Sequence, residues 1–390
     1  MIIMIVSIFF YDIIKSMNKS ILYEETDIKD QNILRCLKDN DILLDIETTG
    51  LSRFKSKIFL LGFGLVKEKP DGNFSLSIKQ IFSVDGDEEG LLTDFISYLP
   101  KEGRIITYNG DRFDIPFIEE KCRKYSLPSA LSDHESLDLL KYYSKLKNFL
   151  RLPSMSEKTV ESFLKIKRDD KLSGKEIAEG IRKYYKEPDK ITRDLILLHN
   201  KEDIEGLVSV FKLSEYLDLE KAFINIEELK ILSSSDKEMN VSFYGKLRRT
   251  LPSAIRIIAY PFYLISEDNS LRGTLRLRKK KLRFYHPDIE NYTYLVKENI
   301  VIPKILADDI PRSRKRKPKK SECFTETEGF SMELPNKVKE DFILNAKESG
   351  ILIFKDIEEE YNGEKDYVKI NKKDDIIKNL NIIIPLLLRM

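Results

Sequence analysis

One segment near the N-terminus reads Asp41-Ile42-Leu43-Leu44-Asp45-Ile46-Glu47-Thr48-Thr49-Gly50-Leu51. It is an apolar strand that ends in two carboxylates one residue apart, followed by a small, polar turn. Alternate residues of a strand project to the same side, so Asp45 and Glu47 point together. Two converging carboxylates repel unless a cation joins them, and hard oxygen ligands favour magnesium or manganese. The alternative is a strand end with two solvated acids.

A second acidic motif follows a short apolar strand at 105–107 and an Asn-Gly turn at Asn109. Pro116 suits the first turn of a helix, which places Asp114 at the junction between turn and helix. Asp111 is interpreted as an ordinary turn residue.

A third acidic motif lies at 195–207, where apolar residues recur at helical spacing. His199 and Asp203 are four residues apart and therefore share one helix face. A single histidine on such a helix is more often a structural hydrogen-bonding residue than a catalyst. The chain has only three histidines, and this one stacks over an acid, which favours a functional role.

Together these motifs resemble the DEDD (DnaQ-like) 3′–5′ exonuclease superfamily, and most closely the YprB-type ribonuclease H-like proteins of bacteria. Asp45 and Glu47 fit the first motif, Asn109, Phe113 and Asp114 the second, and His199 and Asp203 the third. The resemblance spans residues 39–217. It implies an α/β fold: a ribonuclease H-like mixed sheet flanked by helices.

The resemblance also implies a metal-dependent exonuclease that hydrolyses phosphodiester bonds by a two-metal-ion mechanism. Asp45, Glu47, Asp114 and Asp203 would hold two divalent cations, Mg²⁺ or Mn²⁺. Thr48 and Leu51 would contact the terminal nucleotide, and Asn109 and Phe113 are further candidates for substrate binding. The alternative is a catalytically weak or inactive nucleic-acid-binding protein with the same fold.

The spacing of the third motif departs from the family pattern. In the histidine subclass the His usually lies five residues before the last Asp, whereas four residues is the spacing of the tyrosine subclass. His199 could accept the proton of the attacking water as a neutral imidazole near pH 7, or it could only orient that water.

Composition and local pattern define the organisation of the chain. We expect an N-terminal extension at 1–38, of which the first 16 or so residues are dispensable, an exonuclease domain at 39–220 and a β-rich α+β accessory domain at 221–390. Strands are predicted at 58–66 and 75–83, a helix at 87–98 and largely helical structure at 131–217. Asp138 is interpreted as a residue that supports the site or as a helix N-terminal charge.

Charge and cysteine content limit the partners and the compartment. The formal net charge of +2 is too small to indicate a polyanionic partner, and three cysteines without motif spacing indicate a reducing cytoplasm. The apolar start at 1–11 is too short to span a bilayer and is interpreted as a mis-assigned or dispensable extension, so we expect no stable membrane association. The alternative is a membrane-associating segment. The sequence does not predict an oligomeric state, and it does not distinguish DNA from RNA as substrate.

Two basic runs in the C-terminal part are candidate nucleic-acid contacts. The first runs from Arg272 to Arg283 and the second from Arg312 to Lys320. The alternative for either run is a solvated strand or a flexible loop. The candidate contacts are Arg278, Lys279, Lys280, Arg314, Lys315, Arg316 and Lys317.

Overall fold

The computed structural model describes residues 18–23, 25–129, 131–170, 172–357 and 365–389. The chain divides into two compact units, Met1–Leu217 and Asp218–Met390. The first 16 residues, which we expect to be dispensable, lie outside the described residues.

The first unit is built on a seven-stranded mixed sheet in the order β1-β5-β4-β3-β6-β7, with β2 paired to β5. Its strands are β1 (Asn18–Leu22), β2 (Thr26–Ile28), β3 (Ile42–Thr48), β4 (Ile58–Glu68), β5 (Phe74–Ser83), β6 (Arg104–Thr107) and β7 (Glu135–Asp138). β3, β4 and β5 form an antiparallel meander, whereas β6 and β7 continue the sheet in parallel. The β3 strand therefore lies at the centre of the sheet.

Helices cover both faces of this sheet. They are α1 (Gln31–Leu34), α2 (Glu88–Tyr98), α3 (Asp114–Lys124), α4 (Leu139–Tyr143), α5 (Leu146–Phe149), α6 (Glu157–Leu164), α7 (Gly174–Tyr184) and α8 (Lys190–Val210). Ile42, Leu44 and Ile46 of β3 share a core with α2 and α3. The other core joins β4 and β5 to α7 and α8. The predicted mixed sheet flanked by helices is thus confirmed.

Two local features differ from the sequence-based expectations. Residues 18–28, assigned above to an N-terminal extension, contribute β1 and β2, which pair with β5. Within the region predicted to be largely helical, Glu135–Asp138 forms the parallel strand β7. These strands have at most five residues, and their pairing depends on main-chain hydrogen bonds to distant segments, so local pattern does not reveal them.

The second unit is β-rich with three helices in its described part, as predicted. Its strands are β8 (Phe223–Ser234), β9 (Glu238–Ala259), β10 (Phe262–Tyr285), β11 (Tyr292–Leu295), β12 (Ile300–Pro303), β13 (Lys315–Arg316), β14 (Phe324–Glu333), β15 (Ile353–Asp356) and β16 (Asp366–Lys369). A six-stranded sheet has the order β14-β16-β15-β10-β9-β8, with an additional β10–β14 pairing, and a small sheet has the order β12-β11-β13. The helices are α9 (Leu219–Ala222), α10 (Lys339–Glu348) and α11 (Lys373–Leu388).

Among the described residues, no helix combines the length and apolar character that a bilayer crossing requires.

Candidate metal centre

Asp45 and Glu47 project from the central strand β3 toward α8, on the side opposite Ile42, Leu44 and Ile46. The Asn200 side-chain amide on α8 donates to Asp45 Oδ2 at 2.7 Å, and Gln80 Nε2 on β5 donates to Asn200 Oδ1 at 2.7 Å. Two amides, Gln80 on β5 and Asn200 on α8, therefore form a hydrogen-bonded chain that fixes the first carboxylate. The alternation read from the sequence does place Asp45 and Glu47 on one face.

Asp114 is the first residue of α3 and is buried. Its Oδ1 accepts from the backbone N–H of Ile46 at 3.3 Å, so it lies beside β3 between the two acids of the first motif. The turn before it is held by Asp138, whose carboxylate accepts from the backbone N–H groups of Asn109 and Asp111. Asp138 also caps α4 by accepting from Lys141 N–H. Of the two interpretations offered for Asp138, the helix N-terminal one is therefore seen directly.

His199 and Asp203 on α8 reach the same place as Glu47. The imidazole Nε2 of His199 lies 3.4 Å from Glu47 Oε1 and 3.4 Å from Asp203 Oδ2. One ligand atom from each of these three residues lies within 4.8 Å of the other two. The structure thus brings the first and third motifs together, although they are about 150 residues apart in the chain.

Burial and mutual repulsion disfavour ionisation of this cluster. Burial raises the pKa of Asp45 well above its ordinary value, and the charges of Asp203, Glu47 and Asp114 raise it further. Burial and the neighbouring acids likewise raise the pKa of Glu47. Burial raises the pKa of Asp114 to about 7, although hydrogen bonds from backbone N–H groups act in the opposite direction. Without a cation, some of these acids would therefore carry protons near neutral pH.

The donor set fits a divalent cation. Carboxylate oxygens from Asp45, Glu47, Asp114 and Asp203 are hard ligands of the kind that Mg²⁺ and Mn²⁺ prefer, and an imidazole nitrogen also suits Mn²⁺ or Zn²⁺. A bound cation would offset the repulsion that raises the pKa values of the three buried acids.

The candidate substrate-binding residues surround this cluster in different environments. Leu51 is 88% exposed in the loop that follows β3. The Thr48 hydroxyl donates to the carbonyl of Gly50 at 2.9 Å and so helps to shape that loop. Asn109 adopts a left-handed conformation with φ of 67° in the turn before α3. Phe113 is partly buried and contacts Phe117 of the core, so most of its ring is committed to packing.

The basic candidates in the second unit are already engaged by local partners. Arg278 lies over the ring of Tyr260, and Lys315 donates to the carbonyl of Ala307. The remaining pairs are Lys279–Glu328, Lys280–Asp356, Arg314–Glu298, Arg316–Glu322 and Lys317–Glu290. Asp356 is buried, so Lys280 serves to neutralise it. In the second run, for which a flexible loop was the alternative, Arg312–Arg314 form a 3₁₀ turn and Lys315–Arg316 form the strand β13, whereas 317–320 belong to neither a helix nor a strand.

Comparisons with known proteins bear on the first unit. No curated protein matches this sequence. Residues 42–215 match the model of the RNase_H superfamily. The predicted ribonuclease H-like fold is therefore confirmed for this unit.

Structures of Escherichia coli exonuclease I are among those similar to the chain. The complex with a dT13 oligonucleotide has 13% identity, a TM-score of 0.31 and coverage of 59% of this chain and 55% of that one. The zinc-bound complex with single-stranded DNA has 11% identity, a TM-score of 0.31 and coverage of 75% and 65%. This chain thus spans little more than half of the oligonucleotide-bound exonuclease, and both TM-scores are too low to carry an argument.

Two residues beside the acid cluster were not found from the sequence. Asp170 Oδ2 lies 2.6 Å from His199 Nδ1, and the partly buried Arg168 guanidinium pairs with Asp203 and, at 3.1 Å, with Glu161. Burial opposes ionisation of Asp170, but hydrogen bonds from Leu172 N–H and His199 outweigh it and lower its pKa. Both residues lie between α6 and α7, in a charged stretch that resembles any solvated loop. Asp170 and Arg168 come close to His199 and Asp203 only when the chain folds, so their positions follow no periodic pattern in the sequence.

Proposed function

We propose that this protein is a metal-dependent 3′–5′ exonuclease of the DEDD type, related to the YprB-type proteins. The observation that carries the proposal is the acid cluster in which His199 Nε2 lies 3.4 Å from Glu47 and from Asp203. The charges of Asp45 and Asp114 interact with those two acids. Four buried or half-buried acids repel one another, and a chain gains nothing from such a cluster unless it binds cations. The 3′–5′ direction and a cytoplasmic location come from the resemblance and the composition.

In this proposal Asp45, Glu47, Asp114 and Asp203 hold two Mg²⁺ or Mn²⁺ ions, which when bound supply an activated water and stabilise charge on the phosphate. Asp170 accepts a hydrogen bond from His199 Nδ1–H, which fixes the ring with Nε2 turned toward Glu47 and Asp203. His199 is then placed to orient the attacking water or to accept its proton. The substrate is DNA or RNA.

The alternative, a nucleic-acid-binding protein without turnover, is favoured by one contact. Arg168 pairs with Asp203 and so supplies a permanent positive charge where a cation would otherwise be needed. Metal affinity separates the two functions. Calorimetric titration of the protein with Mn²⁺ measures this affinity. A nuclease site should bind Mn²⁺ and release protons, whereas an acid cluster already neutralised by Arg168 should bind Mn²⁺ weakly.

The direct test uses the purified chain with Mg²⁺ or Mn²⁺ on single-stranded DNA and RNA oligonucleotides labelled at either end. The expected result is labelled mononucleotide from the 3′-labelled strand at the earliest times, and a ladder of shortened products from the 5′-labelled strand. EDTA should stop both reactions. Mononucleotide released first from the 5′-labelled strand would contradict the proposed direction.

A pair of substitutions in one turn tests the site itself. Asp114→Asn keeps an oxygen that can accept from Ile46 N–H but removes the charge, so hydrolysis should slow by at least about 100-fold. Asp111→Asn is the matched control, because that carboxylate bonds Ser136 and Lys141 at the surface. Equal hydrolysis rates for the two variants would show that Asp114 has no role in hydrolysis.

A further inference from the structure

The loop between β3 and β4, residues 50–57, exposes two large apolar side chains. Leu51 is 88% exposed and Phe54 is 68% exposed. Single exposed apolar residues are common on protein surfaces, but here two lie within four residues of each other. Leu51 was singled out from its motif, whereas nothing in the sequence analysis drew attention to Phe54.

This loop is a hairpin tip whose main chain is held by hydrogen bonds. The backbone N–H of Thr49 donates to the carbonyl of Lys57 at 2.9 Å, and that of Ser56 donates to the carbonyl of Ser52 at 2.8 Å. From α7, Arg182 donates to the carbonyl of Thr49 at 2.7 Å. A surface that is ordered before it binds loses less entropy when a ligand arrives.

The hairpin tip is also positively charged. Residues 50–57 contain Arg53, Lys55 and Lys57 and no acid. Within the described residues, neither Arg53 nor Lys55 has an acidic partner within 4 Å. The Arg53 guanidinium lies 5.3 Å from the Phe54 ring centroid. Lys57 donates to the carbonyl of Gly86 at 3.1 Å. Five of the seven basic candidates in the second unit pair with an acid, whereas Arg53 and Lys55 do not in the described part of the chain.

The hairpin tip begins where the acid cluster ends. Glu47 is opposite Leu60 and Thr48 is opposite Ile58 in the β3–β4 ladder, so residues 50–57 continue from the strand end that carries Glu47. A phosphodiester strand that enters the cluster at Glu47 passes this tip. Cations at alternate positions around one exposed aromatic ring match such a strand, because phosphates pair with cations and bases stack on aromatic faces.

We propose that the hairpin tip at 50–57 is a binding platform for single-stranded nucleic acid. The Phe54 ring stacks on a nucleobase, and Arg53 and Lys55 contact the flanking phosphates. This inference rests on the proposed function for the position of the strand end. It assigns the strand contacts to the first unit rather than to the basic runs of the second.

The first test measures binding of the full chain to fluorescein-labelled dT20 and U20 in Ca²⁺, which limits hydrolysis. Because stacking on an aromatic side chain contributes about 1–3 kcal/mol per base, Phe54→Ala should weaken binding by about 5-fold to 150-fold. Phe54→Tyr should bind as the wild type does. Ile305→Ala, which truncates an 80% exposed side chain in the second unit, is the control and should change nothing.

The second test follows the ionic contacts. Each phosphate contact on a single strand contributes about 0.7 to the slope of log affinity against log salt, so Arg53→Ala with Lys55→Ala should reduce the slope by about 1.4. Lys101→Ala with Lys297→Ala removes the same charge from exposed positions elsewhere and should leave the slope unchanged. An equal fall in slope for both pairs would mean that only net charge matters, which would overturn the platform.

A base analogue separates failure of this inference from failure of the proposed function. With 2-aminopurine at successive positions from the 3′ end, stacking on Phe54 should quench one position in the wild type and none in Phe54→Ala. Quenching without hydrolysis would support the platform while rejecting the exonuclease. Hydrolysis with identical binding and fluorescence in wild type and Phe54→Ala would overturn the platform and leave the exonuclease intact.

Discussion

His199 is held at both ring nitrogens, and the two contacts have different consequences. Asp170 fixes Nδ1 at 2.6 Å, while Nε2 faces Glu47 and Asp203 at 3.4 Å each. The four-residue spacing to Asp203 left open whether this histidine, at the acid cluster, accepts the proton of the attacking water or only orients that water. The structure places Nε2 against that cluster, so the unusual spacing does not take His199 away from the site.

Substitutions at this pair should separate orientation from proton transfer. His199→Ala should lower kcat by about 10²–10⁴-fold with little change in KM, as expected for loss of a general base. Asp170→Ala should lower kcat less, and Asp170→Asn should restore part of it, because the amide oxygen still accepts from Nδ1–H. Steady-state kinetics on a short oligonucleotide checks this order. If His199→Phe retained most of the activity, the histidine would be structural, and partial activity in His199→Tyr would favour an orienting role.

Asp114 should make the metal-free protein less stable as pH rises. The pKa of this buried carboxyl is raised to about 7, whereas an unfolded Asp titrates near about 3.9. Between these values the folded state keeps a proton that the unfolded state has lost, so the free energy of unfolding falls with increasing pH. Urea unfolding in EDTA from pH 4 to pH 8 measures this decline.

Two comparisons identify the group responsible for that decline. Asp114→Asn should flatten it, whereas Asp111→Asn should keep it, because that carboxyl bonds Ser136 and Lys141 and its pKa is lowered. Added Mn²⁺ should restore stability most at the upper end of the range, where the cation no longer competes with protons. A decline of the same size in Asp114→Asn would assign the effect to other acids.

At the scale of elements, the site depends on how closely α8 approaches the sheet. Gly62 on β4 lies opposite Asp45, and a Cβ at this glycine would come within 2.0 Å of Asn200 Oδ1. The missing side chain therefore makes room for the amide that holds Asp45. Local pattern predicted the strand and the helix, but it did not reveal this contact, because the two residues are far apart in the chain.

Gly62→Ala should therefore damage both stability and the site. Overpacking of this kind costs about 1–3 kcal/mol, and displacement of Asn200 removes a hydrogen bond from Asp45. Gly174→Ala is the matched control, since nothing lies within 4 Å of its Cβ position in the first turn of α7, and the change should raise stability by up to about 1 kcal/mol. Urea unfolding and hydrolysis rates of both variants decide the matter.

The acidic motifs could be predicted from the sequence, whereas the contacts of the connection between α6 and α7 could not. Asp45, Glu47, Asp114, His199 and Asp203 lie at strand ends or on one helix face, where periodicity and turn residues indicate their direction. Arg168 and Asp170 lie in the connection between α6 and α7, where no period constrains the side chains. Their roles arise only from long-range packing against α8, which a single sequence does not encode in any local pattern.

At the scale of the whole molecule, the sequence predicted the β-rich architecture of the second unit but not the ion pairs of its basic residues. Alternation of β-branched, aromatic and charged residues indicated a β-rich unit, and β9 and β10 show that alternation in their burial. The sequence did not reveal that acids on neighbouring strands and turns supply counter-charges to the basic runs, as in the Arg316–Glu322 and Lys279–Glu328 pairs.

The basic run at 314–317 should contribute little to the binding of a nucleic-acid strand. Four free cations on a single strand would contribute about 2.8 to the salt slope, at about 0.7 for each contact. Arg314, Arg316 and Lys317 each pair with a glutamate, so binding a phosphate means giving up a partner that already screens the charge. We therefore expect joint alanine substitution of Arg314, Lys315, Arg316 and Lys317 to reduce the slope by much less than 2.8. Affinity for dT20 measured from about 50 to 200 mM salt checks this expectation. A reduction of the slope by about 2.8 would show that the second unit contacts the nucleic acid through this run.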